Sequence, residues 1–290
     1  MYVHGASAFI CEPVDDINRL KDDLKQYTDF FFRRVNKFIL LSLMGVHQCI
    51  YGKSISGSSA VYLATENGNL GDTENVLHQL YRENSFPKPF NFINTMSNTA
   101  SFYVAQSLKT RGRSITVSSK NVSFERGLEL AKVDFEMNHI TEALVGGVDE
   151  AVFSRDHFMK KYEKAYHAVK LVEGSSWLYL AAHRDGALGE IADIKTFNSR
   201  DDAVRWVTSA PVSDPIVLSF GILIPPSEKE IWKKECAHEE EFDYLTEHGY
   251  YDTVASFAVS KFFERYTRKV LIYINKNIQG QYVILICVRY

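Results

Sequence analysis

Apolar residues recur along the chain in two rhythms, every second residue or every third to fourth, and these predict most of the elements. Tyr2 to Ile10 reads as a first strand. Asp29 to Ile50 (DFFFRRVNKFILLSLMGVHQCI) carries apolar side chains at helical spacing and predicts a long helix. Ser58 to Ala64 (SSAVYLA) is a continuous apolar run, a buried strand, and Gly68 and Gly71 break the chain after it. Helices are expected from Asp72 to about Arg82, from Met96 to Leu108 and from Val122 to Asn138. Strands are expected at Ser114 to Ser118 and Glu142 to Val148, and SFPKPFNFIN, with two prolines, reads as an ordered irregular loop. Past a Lys- and Tyr-rich stretch from Lys160 to Lys170, Ser176 to Ala182 and Ile191 to Phe197 are expected to pair as antiparallel strands. Asp201 to Thr208 then predicts a helix, Ile216 to Ile222 a strand, and Ser227 to Cys236 and Thr253 to Arg265 two helices. Val270 to Ile274 with Tyr282 to Val288 closes the chain as a hairpin.

Apolar strands alternating with helices predict an α/β chain whose sheet is covered. No Gly/Ser-rich linker interrupts it, so residues 1–290 are expected to form one body, with a first half to about 198 and a second from about 199. Of the 290 residues, 46% are hydrophobic and 24% charged, which supports a globular core and excludes a disordered chain. The net charge is -3 and no long basic block is present, so nucleic acid is not expected as a partner. Cys11, Cys49, Cys236 and Cys287 lie far apart without a CxxC pair, which implies neither a zinc ribbon nor a disulfide framework and suits a reducing cytoplasm. The opening MYVHGASAFI has no basic n-region, arguing against a secretory signal, and the longest apolar run, Phe38 to Val46, is about half a membrane span. A soluble protein is expected.

Familiar site motifs are incomplete. Gly52-Lys53-Ser54 lacks the first glycine of a phosphate-binding loop, because His47 stands there, and reads as a turn. His238-Glu239-Glu240-Glu241 has no second ligand cluster to complete a metal shell and reads as a solvated acidic helix end. Gly146-Gly147 lacks the dinucleotide fingerprint and reads as a tight turn after a strand. Neither GxSxG nor HExxH occurs. No metal or cofactor is expected.

Several collinear stretches carry a resemblance. Phe90 to Asn98 (FNFINTMSN), leading into a helix, is similar to the P-x-x-x-x-N-x-x-x-N approach to a dimer-interface strand. Thr116 to Ser123 (TVSSKNVS) lies over a T-V-x-T-A-C-A-A elbow without a gap. Ala143 to Ala151 (ALVGGVDEA) and Val172 to Leu180 (VEGSSWLYL) match the two strands that follow. Ser219 to Pro226 (SFGILIPP) lies over A-H-G-T-x-T-P-x, Thr246 to Gly249 (TEHG) over T-G-H-x, and the end, YVILICVRY, resembles a closing hairpin. Over nearly its whole length the chain thus resembles the β-ketoacyl synthases of the thiolase superfamily. The implied fold is thiolase-like: two packed βαβαβ-type halves with helices between the sheets, the second half shortened.

In that family the elbow cysteine accepts the acyl group and two histidines assist decarboxylation and condensation. The cysteine position is Asn121 here, and a carboxamide has no nucleophilic lone pair at neutral pH. The first histidine position is Phe220, and only His248 remains at the second, beside Glu247 where the motif has glycine. The glycine-rich loop near the C-terminus has become Asn275-Lys276-Asn277-Ile278-Gln279-Gly280. Read without the resemblance, Asn121 is a helix N-cap, Phe220 core and His248 a loop histidine.

The resemblance implies a catalytically inactive ketosynthase-like subunit, a chain length factor, that pairs with an active β-ketoacyl synthase in fatty-acid or polyketide-type elongation, as in aryl polyene pathways. Pairing would run through the strand Ser114, Ile115, Thr116, Val117 and Ser118, across a two-fold axis. Phe124, one turn into the helix after the elbow, would end the shared acyl tunnel. Acyl carrier protein would be met through the complex. Two other readings stand beside it: a cysteine-free malonyl-carrier-protein decarboxylase using His248 and Asn121, and a homodimeric scaffold without chemistry.

Overall fold

Residues 1–13, 16–31, 35–152, 156–157, 160, 169–210 and 214–290 are described by the structure, a computed structural model. Its strands are β1 (Tyr2–Cys11), β2 (Ala60–Ala64), β3 (Ser114–Val117), β4 (Glu142–Asp149), β5 (Glu173–Ala181), β6 (Gly189–Phe197), β7 (Ile216–Phe220), β8 (Glu240–Glu241), β9 (Lys269–Lys276) and β10 (Tyr282–Arg289). Its helices are α1 (Ile17–Leu24), α2 (Lys37–Cys49), α3 (Leu70–Tyr81), α4 (Pro89–Asn94), α5 (Asn98–Ser107), α6 (Ser123–Glu136), α7 (Arg200–Ser209), α8 (Pro226–Glu235), α9 (Tyr244–His248) and α10 (Ala255–Arg265). The strands run in the order β3-β2-β4-β5-β1-β6-β10-β9-β7-β8. Two residue pairs, Tyr2 with Glu190 and Val3 with Gly189, join the first five strands to the last five.

The two-residue period of each strand sorts its side chains between layers. On β2, Tyr62 and Ala64 face one core while Val61 and Leu63 face another. On β9, Leu271 and Tyr273 enter the same core as Tyr62, while Val270, Ile272 and Ile274 face outward; β10 repeats this with Val283 and Leu285 against Ile284 and Ile286. That shared core also takes Phe124 and Leu128 of α6 and Phe257 and Phe262 of α10. Each of these helices touches strands of both five-stranded groups, α6 reaching β2, β4 and β6, and α10 reaching β1, β5 and β9. They are therefore the central helical layer, with α2 and α5 covering the outer face of one group and α7 and α8 that of the other.

Several expected elements differ. The helix expected from Asp29 starts at Lys37, because Asn36 is extended and its side chain accepts from the Ile39 N–H; residues 32–34 lie outside the described residues. SFPKPFNFIN contains α4, with Pro89 in the first turn, where its missing N–H costs nothing. The expected antiparallel partners around β5 and β6 do not pair with each other: β1 lies between them, and β6 pairs along its length with β10. β6, placed by the sequence reading at the end of the first half, thus belongs by pairing with the last five strands. Gly146 and Gly147 are not a turn but the interior of β4. A Cβ on Gly146 would sit 2.0 Å from Cδ2 of the buried Trp177 ring. α8 ends at Glu235, so His238 to Glu241 is not a helix end, and Glu240–Glu241 pairs with β7. Ser118 lies just beyond β3. The Lys- and Tyr-rich stretch lies largely outside the described residues, at 161–168.

Candidate functional site

The turn between β3 and α6 is built as an elbow. Asn121 has φ +67°, a left-handed conformation that asparagine tolerates better than most residues. Its N–H donates to Glu66 Oε1 at 2.5 Å, and its carbonyl accepts from Asn275 Nδ2 at 2.9 Å. Asn121 is thus not the helix cap; the residue preceding α6 is Val122, which has no capping side chain. The Ser119 N–H donates instead to Ser123 Oγ, which itself donates to Glu66 Oε1 at 2.8 Å. Glu66 therefore holds the turn from the loop after β2.

Beneath the elbow the central layer leaves a cavity of about 10 Å³. Asn121 and Phe124 line it, with Glu125, Ile222, Asp252 and Asn275. The other two family positions do not. Phe220 falls on the outward phase of β7 and packs with Ile224 and Trp232, with Lys229 Nζ 5.5 Å from its ring centre. His248 ends α9 with its ring 4.9 Å from that of Phe257, and burial holds its pKa below the usual value. Past those two positions the first residues that reach the cavity are Ile222, two further on from Phe220, and Tyr250 and Asp252, two and four further on from His248. Strand parity would keep Ile222 on the face of Phe220, but the chain leaves β7 after Phe220 and the turn that follows sends Ile222 into the central core. Distance from the start of α10 points to the second displacement, and motif matching signals neither.

The cavity's chemistry is acidic and buried. Glu125 is fully buried, and its carboxyl is pushed up to about 7 by loss of solvation, although Asn275 Nδ2 donates to its Oε1 at 2.6 Å. Asp149, at the end of β4, is raised well above the carboxylate range by burial and by the charge of Asp252. It accepts from Thr65 Oγ1 at 2.7 Å and from the Glu66 N–H at 3.1 Å. No thiol lines the cavity. Burial raises all four cysteines, Cys11 to about 12 and Cys236 to about 11, the reverse of an activated nucleophile. Among the described residues no group of His, Cys, Asp and Glu is arranged to hold a metal ion.

A ten-stranded sheet folded about two central helices, with an elbow at the start of one, is also found in solved ketosynthase structures. A type II polyketide acyl-carrier protein complexed with its ketosynthase matches with a TM-score of 0.72 and 14% identity, over 100% of this chain and 99% of that one. The chain has the thiolase-like ketosynthase fold. The ishigamide ketosynthase/chain length factor matches at 0.69 and 15% identity, over 88% and 81% of the two chains. A β-ketoacyl synthase from Burkholderia phymatum matches at 0.69 and 12%, over 100% and 99%. No protein-family model and no curated protein sequence matches the chain. In this fold β3 is an edge strand, paired only with β2 among the described residues. Of the residues expected at an interface, Ser114 and Ser118 are exposed and Ile115, Thr116 and Val117 half-buried. α5 packs beside that edge and carries Phe102, 60% exposed, while Phe86 and Phe92, in the segment before α5, are 97% and 61% exposed. No helix among the described residues is long and apolar enough to cross a membrane.

Proposed function

We propose that this chain is a ketosynthase-like subunit without condensing chemistry of its own, which pairs with an active β-ketoacyl synthase and shapes its acyl tunnel as a chain length factor. The observation that carries the reading is the closed elbow. By the resemblance Asn121 takes the nucleophile's position, and the cavity beneath it, about 10 Å³, holds no more than a water molecule. A thioester has neither an acceptor nor a place there, and no histidine lines the cavity to polarise it. This also removes support from the decarboxylase reading, which needed His248 at the thioester.

Pairing would use the open edge of β3, Ser114 to Ser118, together with the apolar surface around Phe92 and Phe102. Open strand edges and contiguous apolar patches are both features that proteins cover. A solved neighbour is a ketosynthase/chain length factor and another is a ketosynthase with its acyl-carrier protein, and we extend both partnerships to this chain. Free thiols, three of them buried and Cys11 half-buried, suit a reducing cytoplasm. An aryl polyene product is one polyketide class within this reading.

The test is co-expression with a candidate ketosynthase, with size-exclusion chromatography of each chain alone and both together. The expected outcome is a stable heterodimer burying more than about 2,000 Å² in total. A soluble monomer that ignores every ketosynthase offered would refute the pairing. Intact mass spectrometry after incubation with malonyl- or acetyl-carrier protein should show no acyl adduct, and an adduct on this chain would refute the loss of chemistry.

A further inference from the structure

Among the described residues, the buried side-chain polar atoms that meet no hydrogen-bond partner include Glu125 Oε2 and Thr253 Oγ1, both on residues lining the elbow cavity. Glu125 is 0% and Thr253 2% exposed. The Thr253 hydroxyl lies beside the Asp149 carboxyl. Leaving buried polar atoms unpaired is costly, and a space of this size lined by polar atoms is what a buried water occupies. On its other oxygen Glu125 accepts from Asn275 Nδ2, and the same amide nitrogen donates to the Asn121 carbonyl. Gly221 makes room for that amide, since a Cβ there would stand 1.9 Å from Asn275 Oδ1.

We propose that the elbow cavity binds one water molecule between Glu125 and Thr253, and that the Glu125–Asn275 pair it completes is the clasp fixing the Asn121 turn to β9. Two arrangements satisfy these atoms, with Oε1 accepting from Asn275 in both. In one, an ionised Glu125 accepts at Oε2 from a water that itself accepts from the Thr253 hydroxyl. In the other, a protonated Glu125 donates its Oε2–H to a water that donates to Thr253 Oγ1. The acidic surroundings select the second, with the proton on Glu125. From the loop after β2 it faces Glu66, and across the cavity Asp252, Tyr244 on α9 and Tyr273 on β9, with Asp149 nearby. Arg126, the next residue on α6, is engaged with Glu129 at 2.5 Å and Thr196 at 3.0 Å. No Lys, Arg or His lines the cavity. The site is independent of the proposed partnership: it would stand whether or not a ketosynthase binds.

The test compares the full chain with Glu125→Gln and Glu125→Leu. Infrared spectra of the wild type at about pH 6 should contain a protonated-carboxyl carbonyl component, over that of other raised carboxyls such as Asp149, that is lost in Glu125→Gln. Because the carboxyl is raised in the folded state, the wild-type folding equilibrium should weaken as pH rises from about 5 to about 8. Relative to Glu125→Gln, which lacks this titration, the weakening should be on the order of a hundredfold. A crystal structure should show a single water in the wild type and none in Glu125→Leu. If either variant fails to fold, the wild-type water still decides the matter. An ionised Glu125 at pH 6, a wild type and Glu125→Gln with parallel pH profiles, or a wild-type cavity without a water would each overturn the proposal.

Discussion

Replacing Phe124 with alanine separates two roles that one ring can play. Its side chain is fully buried in the central layer and lines the elbow cavity. Removing the ring vacates roughly 100 Å³, and at about 24 cal/mol per Å³ the cavity contributes about 2.4 kcal/mol when neighbours do not relax. The lost transfer free energy of the ring adds about 2 kcal/mol, so a loss of about 3 to 5 kcal/mol is expected. Urea titration of wild type and variant, at unchanged slope, measures it. The tunnel role is measured separately in the co-purified pair. The present cavity of about 10 Å³ admits no acyl carbon, whereas the enlarged one has room for several methylenes. Products should therefore lengthen without a matching loss of turnover. Destabilisation of the expected size with unchanged product length would show that Phe124 is core alone and remove it from the tunnel. A loss below about 1 kcal/mol would refute the packing argument itself.

Three further outcomes follow from the same geometry. Asn121→Cys should acquire no condensation activity in an acyl-carrier-protein assay, because no histidine lines the cavity; full activity would contradict the closed site. Asn121→Val should cost about 1 to 2 kcal/mol in urea titration, since φ +67° is poorly tolerated by a β-branched residue. Gly146→Ala should cost at least about 1 to 3 kcal/mol, because its Cβ would lie 2.0 Å from the Trp177 ring, and a tryptophan emission shift should report the displaced indole.

The local rhythm of the sequence placed most elements within a few residues, because α2, α6, α10 and the strands each carry an amphipathic or apolar pattern of their own. What it could not express was pairing between distant segments. β1 slips between β5 and β6 because residues 2–11 return to the sheet's middle, and nothing in either neighbour encodes that. Gly146 reads as a turn until Trp177 is seated on it. At the site, Asn121 was legible as the elbow, and Phe124 as its neighbour. Ile222 and Asp252 were not, because the motif supplied an order of residues while the turn after β7 and the start of α10 decided which ones reach inward. Glu125 and Asn275 gain meaning only from each other, 150 residues apart in the chain.

The alternation shared by β2, β4, β7, β9 and β10 also limits how this molecule can be edited. Each of these strands supplies the central layer with one phase and an outer layer with the other. Deleting a single residue within β9 would turn Leu271 and Tyr273 outward and drive Ile272 inward, scrambling two layers at once. Within a strand, a length change that keeps both layers in phase must therefore come in steps of two.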